Sequence, residues 1–232
     1  MYTNVFKVIL WLILNISGVI IAKYFIKPIK CLPILRPYFK LNDNNDIIIS
    51  HHKKTPLQEV SDNETLIKLA LIQFYFANIY NKMNSLYKLF YLIPMYGTIF
   101  LFGLAGEIKG LQFSLSNNSI KNWSLSFKIL VSVFTILIIT LLSLNTYFAY
   151  LQNLLFPYVI SIILIIIFYI TIFQIYLKNK NYPIHLHHWF LGYILSFFFL
   201  FDNWWNNLTY SILYGIFIEG LVYYGPTSIF KN

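Results

Sequence analysis

Seven stretches of this chain are apolar over the length an α-helix needs to cross a bilayer. A span takes roughly 20 predominantly apolar residues, with a working range of about 17–25. The stretches are 4–22, 65–80, 87–106, 129–147, 154–177, 184–201 and 208–225. Lipid offers the backbone no hydrogen bonds, and a helix satisfies its own within one segment. The expected fold is therefore all-α: a polytopic transmembrane helix bundle of about seven spans, forming one integral membrane domain over 1–232. Composition agrees. Hydrophobic residues make up 58% of the chain and charged residues 11%, against roughly 45–50% and about 25% in soluble domains. A water-soluble globule of this size could not hide so much apolar surface.

The charges set an orientation. Cytoplasmic loops carry an excess of Lys and Arg. With the N-terminus outside, inner segments hold thirteen basic residues and outer segments three, Lys7, Lys82 and Lys88, while Lys68 falls inside the second stretch. Seven spans with the N-terminus out and the C-terminus in follow. The second stretch is the shortest apolar run. Without it, the basic loop 23–64 moves outside, which the rule disfavours. The segment 4–22 has a weak basic flank and no small-residue cleavage site before Lys23, so it reads as an uncleaved signal-anchor. The net charge of +9 lies between apolar runs, as loop anchors do, and does not indicate a nucleic-acid partner.

The loop 23–64 opens with Lys23, Lys27 and Lys30 and three prolines, Pro28, Pro33 and Pro37. Residues 23–40 suit contact with anionic lipid headgroups and equally a solvated linker. His51 and His52 are adjacent and diverge, as surface residues do. The single cysteine, Cys31, excludes an intrachain disulfide. It is an inert juxtamembrane residue or a palmitoylation site. No phosphate-binding loop, dinucleotide turn, nucleophile elbow or H-E-x-x-H helix is present.

Polar and ionisable residues within spans are costly and are functional candidates. The last two spans concentrate them. His185, His187 and His188 open one, and Glu219 lies within the other. His188, Gly192 and Ser196 recur at helical spacing, as do Ser211, Gly215 and Glu219. In an antiparallel hairpin the pairs His188–Glu219, Gly192–Gly215 and Ser196–Ser211 share one register. Small residues let helices approach, and polar side chains then bridge them. The register predicts a Gly192–Gly215 contact and a His188–Glu219 meeting, with His185 nearby. Gly220 extends the small-residue face.

Three readings of that cluster stand. It is a structural polar pair, a proton- or solute-handling site, or a metal site. His185, His188 and Glu219 supply two nitrogens and one oxygen, a set that zinc or iron accepts. The histidine string resembles the boxes of membrane desaturases superficially, but five histidines are too few for them.

The run His185-Leu186-His187-His188-Trp189, Gly192, and then Gly215 to Gly220 and Tyr224-Gly225 is similar to the C-terminal membrane hairpin of multi-pass fungal LCCL-domain proteins and related eukaryotic membrane proteins. The resemblance covers about a fifth of the chain. It implies the membrane class, draws attention to His187, His188, Gly192, Gly215 and Gly220, and brings no activity with it. The chain lacks the cysteine-bearing extracellular LCCL domain. The sequence thus reads as a multi-pass protein of transport or membrane-organisation type, in a eukaryotic endomembrane or plasma membrane. The alternatives are a membrane-embedded metal-dependent enzyme acting on lipid, and a non-catalytic subunit held by other membrane subunits. The balance leans against catalysis.

Overall fold

The computed structural model describes residues 2–25, 55–79, 89–105, 125–178 and 188–225. Among them the chain is all-helical, with seven α-helices and no strand. α1 is Tyr2–Ile20 and runs into a π-helical turn, Ile21–Phe25. α2 is Pro56–Ile79, α3 Leu89–Ala105, α4 Leu125–Leu151, α5 Leu155–Lys178, α6 His188–Ser196 and α7 Trp204–Tyr224. Each falls on one of the seven apolar stretches. Among the described residues, Val5–Phe25 and Val131–Leu151 are long and apolar enough to cross a membrane.

Local chemistry sets the helix ends. α2 begins well before the expected span, so 56–64 is helix and not loop. Thr55 Oγ1 accepts from the Gln58 amide at 3.3 Å, and Gln58 Oε1 accepts from the Thr55 amide at 3.0 Å. This reciprocal box satisfies two donors that a helix start leaves free, and Pro56 at the first helical position needs no donor. A reading based on apolar length passes over both signals. Lys68, inside the expected second span, pairs with Glu64 one turn back at 2.6 Å. The hydrogen bond from Lys68, and then its charge, holds the exposed Glu64 carboxyl below its ordinary range. Residues 26–54, with Cys31, His51 and His52, lie outside the described residues.

α4 ends on Asn153, whose φ of 58° is left-handed. The Leu154 amide reaches the Ala149 carbonyl at 2.8 Å, and the Asn153 amide reaches Tyr150 at 3.1 Å. This pattern closes the helix and reverses the chain. α6 ends at Ser196, before the expected limit at 201. The amides of Phe197, Phe198 and Phe199 bond three residues back, to Ile194, Leu195 and Ser196, so the helix tightens and gives way to turns. Asn203 then caps α7, its side chain accepting from the Asn206 amide at 3.0 Å.

The chain divides into two compact units. One contains α1, α2, α3, α6 and α7. α7 is its hub and is buried from Tyr210 to Leu221 except at Ile212. Its neighbours come close where side chains are small. A Cβ on Gly215 would lie 2.6 Å from the Met95 carbonyl oxygen of α3. A Cβ on Gly192 of α6 would lie 2.7 Å from the Leu213 carbonyl oxygen of α7. Gly18 of α1 sits against Ile99 and Ile218. Aromatic contacts fill the rest: Trp11 with Tyr214 at 4.9 Å, Tyr193 with Phe217 at 4.9 Å and Phe76 with Phe197 at 5.3 Å.

The second unit holds α4 and α5. α4 exposes Val133, Phe134, Ile136, Leu137 and Ile139. Its hydroxyls fold back onto the helix: Thr135, Thr140, Ser143 and Thr146 each donate to the carbonyl four residues back, as do Ser161 and Thr171 of α5. A hydroxyl bonded to its own helix asks nothing of its surroundings.

The glycine contacts predict a contrast. Gly215→Ala forces α3 and α7 apart and lowers stability by about 1–3 kcal/mol, the usual cost of overpacking. Gly97→Ala, at a helical site with open space beyond, raises it by about 0.4–1 kcal/mol through reduced chain entropy. Thermal unfolding in detergent checks both. Equal effects would contradict the packing described.

Candidate functional site

The buried polar side chains of the first unit gather on and around α7. Asn206, Asn207, Ser211 and Glu219 of α7 are buried, as are Asn15 of α1, Gln73 of α2, Thr98 of α3 and Ser196 of α6. Tyr91, Tyr210 and Tyr214 are fully enclosed. α7 turns about 100° per residue, so Asn206, Tyr210 and Tyr214 share one side, while Asn207, Ser211, Gly215 and Glu219 form an adjoining stripe.

At mid-helix the network is closed. The Tyr214 hydroxyl donates to Asn15 Oδ1 at 2.7 Å. Asn15 Nδ2 donates to the Trp11 carbonyl, and Trp11 Nε1 donates to the Ala70 carbonyl, both at 2.8 Å. Three helices are thereby tied through one amide and one indole. Towards the α6–α7 turn the network opens. Gln73 Nε2 donates to Ser196 Oγ, which donates to the Tyr193 carbonyl at 2.6 Å. The Tyr193 hydroxyl reaches the Leu69 carbonyl at 3.2 Å. Tyr210 stacks on Tyr214 at 5.5 Å and lies 5.8 Å from Tyr91, and the Gln73 amide adjoins its hydroxyl.

Several buried polar atoms here find no protein partner: Gln73 Oε1, Asn203 Nδ2, both amide atoms of Asn206 and Asn207 Oδ1. Asn206 is 0% exposed. Each such atom costs about 1–3 kcal/mol in a dry site. Asn207 is anchored through Nδ2, which donates to Asp202 Oδ1 at 3.1 Å.

At the other end of α7, Glu219 is 4% exposed and engaged by its surroundings. Two residues further on, Leu221 and Val222 line a small cleft with Lys23, Glu59, Asp62, Asn63 and Leu66. Lys23 Nζ lies 3.4 Å from Glu59 Oε2. The Tyr223 hydroxyl reaches the Ala22 carbonyl at 3.0 Å. Gly225, with a φ of 71°, leaves room for the Asp62 carboxylate, which a Cβ would meet at 2.8 Å.

Of the expected hairpin register, the described contacts bear on the glycines and serines, and the His188–Glu219 meeting lies outside the described residues. Gly192 does approach α7, but against Leu213, Ile216 and Phe217; Gly215 is directed at Met95 and Thr98 of α3. Ser196 bonds Gln73 and Tyr193, and Ser211 donates to the Asn207 carbonyl. The two serines therefore spend their hydrogen bonds elsewhere. The physical reason is the all-round burial of α7. A small-residue stripe lets a neighbour approach, but it does not say which one. Gly220 is buried.

His185 and His187 lie outside the described residues. His188 opens α6, and its side chain lies outside them too. Among the described residues no three His, Cys, Asp or Glu side chains converge on a metal-sized point. Sequence reasoning passed over Asn15, Gln73, Tyr91, Asn206, Tyr210 and Tyr214. An available signal was the isolated amide in an apolar stretch, at Asn15 and Gln73, where only a neighbouring helix can satisfy it.

Comparison of the chain with known protein families, curated proteins and solved structures finds no match. The site is thus read on its chemistry alone. It offers neutral amides and hydroxyls at one end of a central helix, and a carboxylate near a polar cleft at the other.

The closed part gives a test. Tyr214→Phe leaves the buried Asn15 Oδ1 without its donor and lowers stability by about 1–3 kcal/mol. Asn15→Leu in the same background recovers part of that loss, because both polar partners are then gone. Thermal unfolding of the two single variants and the double variant measures the coupling; additive losses would contradict the contact.

Proposed function

We propose that the chain is a multi-pass integral membrane protein of transport type. It crosses the bilayer seven times with the N-terminus out and the C-terminus in, and its polar site is built on α7. The observation that carries this reading is the inverted arrangement of polarity. In the second unit α4 exposes its apolar side chains, while in the first α7 buries Asn206, Asn207, Ser211 and Glu219. Lipid accepts the first surface and tolerates polar groups only when they are enclosed. The back-bonded hydroxyls of α4 and α5 add support, since they need no water.

Transport is favoured over a purely structural bundle by the two ends of α7. Buried amides with unmet hydrogen-bonding capacity lie at one end. A carboxylate two residues short of a polar cleft lies at the other. Glu219, with His188 as its proposed partner, acts in this reading as the protonatable group that governs passage. Buried carboxylates and histidines relay protons in many membrane proteins.

Reconstitution of the full chain in vesicles tests the proposal. An imposed pH gradient, followed with an enclosed dye, should decay faster than in protein-free vesicles. Glu219→Gln should return the decay to the protein-free rate. Single-cysteine labelling in a Cys31→Ser background should place residues 23–64 and 226–232 on the same, inner side. A gradient unaffected by the protein would overturn the role of Glu219. Labelling of those two segments from opposite sides would overturn the seven-span topology.

A further inference from the structure

The half of α7 nearest the α6–α7 turn has a chemistry that the carboxylate end does not share. We infer that this region binds a small uncharged solute carrying both hydrogen-bond donors and acceptors, of the urea or glycerol class. The inference rests on the transport reading and names its substrate class.

Asn206 carries the argument. Its side chain is 0% exposed, and neither its amide nitrogen nor its amide oxygen has a protein partner. Asn203 Nδ2 and Asn207 Oδ1, from the same turn of α7, are buried and unmet as well. One turn further on, the Tyr210 ring lies 5.8 Å from Tyr91, the two hydroxyls adjoin one another, and Gln73 Oε1 is also unmet. The region therefore offers donors and acceptors together. Buried polar groups are satisfied with very few exceptions, and four unmet side-chain atoms at the start of α7, with Gln73 Oε1 of α2 beside them, point to a partner outside the protein. A solute with a carbonyl and amine hydrogens, or with several hydroxyls, answers both kinds of group.

The site's neutrality selects against ions. The side chains named are amides and phenols. The nearby carboxylate, Asp202, is exposed and accepts from Asn207. Glu219 lies thirteen residues beyond Asn206, about 20 Å along the helix. An ion at Asn206 would lack a countercharge in a low-dielectric interior, where an unpaired charge is strongly disfavoured. An uncharged solute has no such penalty. Its hydrogen bonds replace those it leaves in water.

The test uses the full chain in vesicles shrunk by a sudden excess of urea or of glycerol, with re-swelling followed by light scattering. Wild type should re-swell faster than protein-free vesicles with at least one of the two solutes. Asn206→Leu should slow this solute-dependent phase about tenfold, as expected for the loss of one or two hydrogen bonds to the solute. Gln73→Leu, on a different helix, should slow it too and serves if Asn206→Leu does not fold. Thr135→Val, on α4, should leave it unchanged. Re-swelling of wild type at the protein-free rate with both solutes overturns the inference, as does a folded Asn206→Leu that behaves as wild type. Faster water loss under sucrose without solute uptake overturns it in favour of water alone. The pH-gradient decay governed by Glu219 is a separate readout, so loss of the solute phase with that decay intact rejects this substrate class and leaves the transport reading standing.

Discussion

The close approach of α3 and α6 to the backbone of α7 is the contact on which the first unit depends. It occurs where a side chain is missing, at Gly215 and at Gly192, with a neighbouring carbonyl oxygen within 2.7 Å of where each Cβ would stand. Association of helices in lipid gains nothing from hiding apolar surface, because the lipid is equally apolar. Backbone proximity supplies packing instead. It also encloses α7 on several sides, so that amides, hydroxyls and a carboxylate along it lose contact with the exterior.

Enclosure has different consequences along the helix. At Tyr214 the polar groups are mutually satisfied through Asn15 and Trp11, and the result is a structural tie between α1, α2 and α7. At Asn206 they are not: both side-chain amide atoms are buried without a protein partner. At Glu219 a carboxylate is buried two residues before Leu221, which lines a polar cleft. One helix thus carries a rigid middle between two chemically distinct ends. In the second unit, α4 exposes apolar side chains, and the hydroxyls of α4 and α5 fold back onto their own backbones.

How much of this could be read from the residues follows from what each signal encodes. Apolar length located all seven helices, because burying or lipid-facing residues in series leaves an unmistakable trace. It missed the start of α2, where Thr55, Pro56 and Gln58 write a cap in polar residues. It also ran α6 too far, since Phe197–Phe199 is as apolar as helix but bonded as turn. Gly192 and Gly215 were legible as close contacts. Their partners were not, because spacing along one helix gives a face and no neighbour. Glu219 was legible as a buried carboxylate. The amide and tyrosine end was not, because Gln73 of α2, Tyr91 of α3, and Asn206 and Tyr210 of α7 come from three helices that meet only in three dimensions.

The central proposal is that α4 faces lipid and that the polar side of α7 is shielded from it. Spin labels at Ile136 and Leu137 of α4, 64% and 51% exposed, measure this in reconstituted vesicles. The account predicts frequent collisions with oxygen, which concentrates in lipid, and few with a water-soluble nickel complex. A label replacing Tyr210 should collide rarely with oxygen. Nickel collisions exceeding oxygen collisions at Ile136 and Leu137 would place α4 in water and contradict the account.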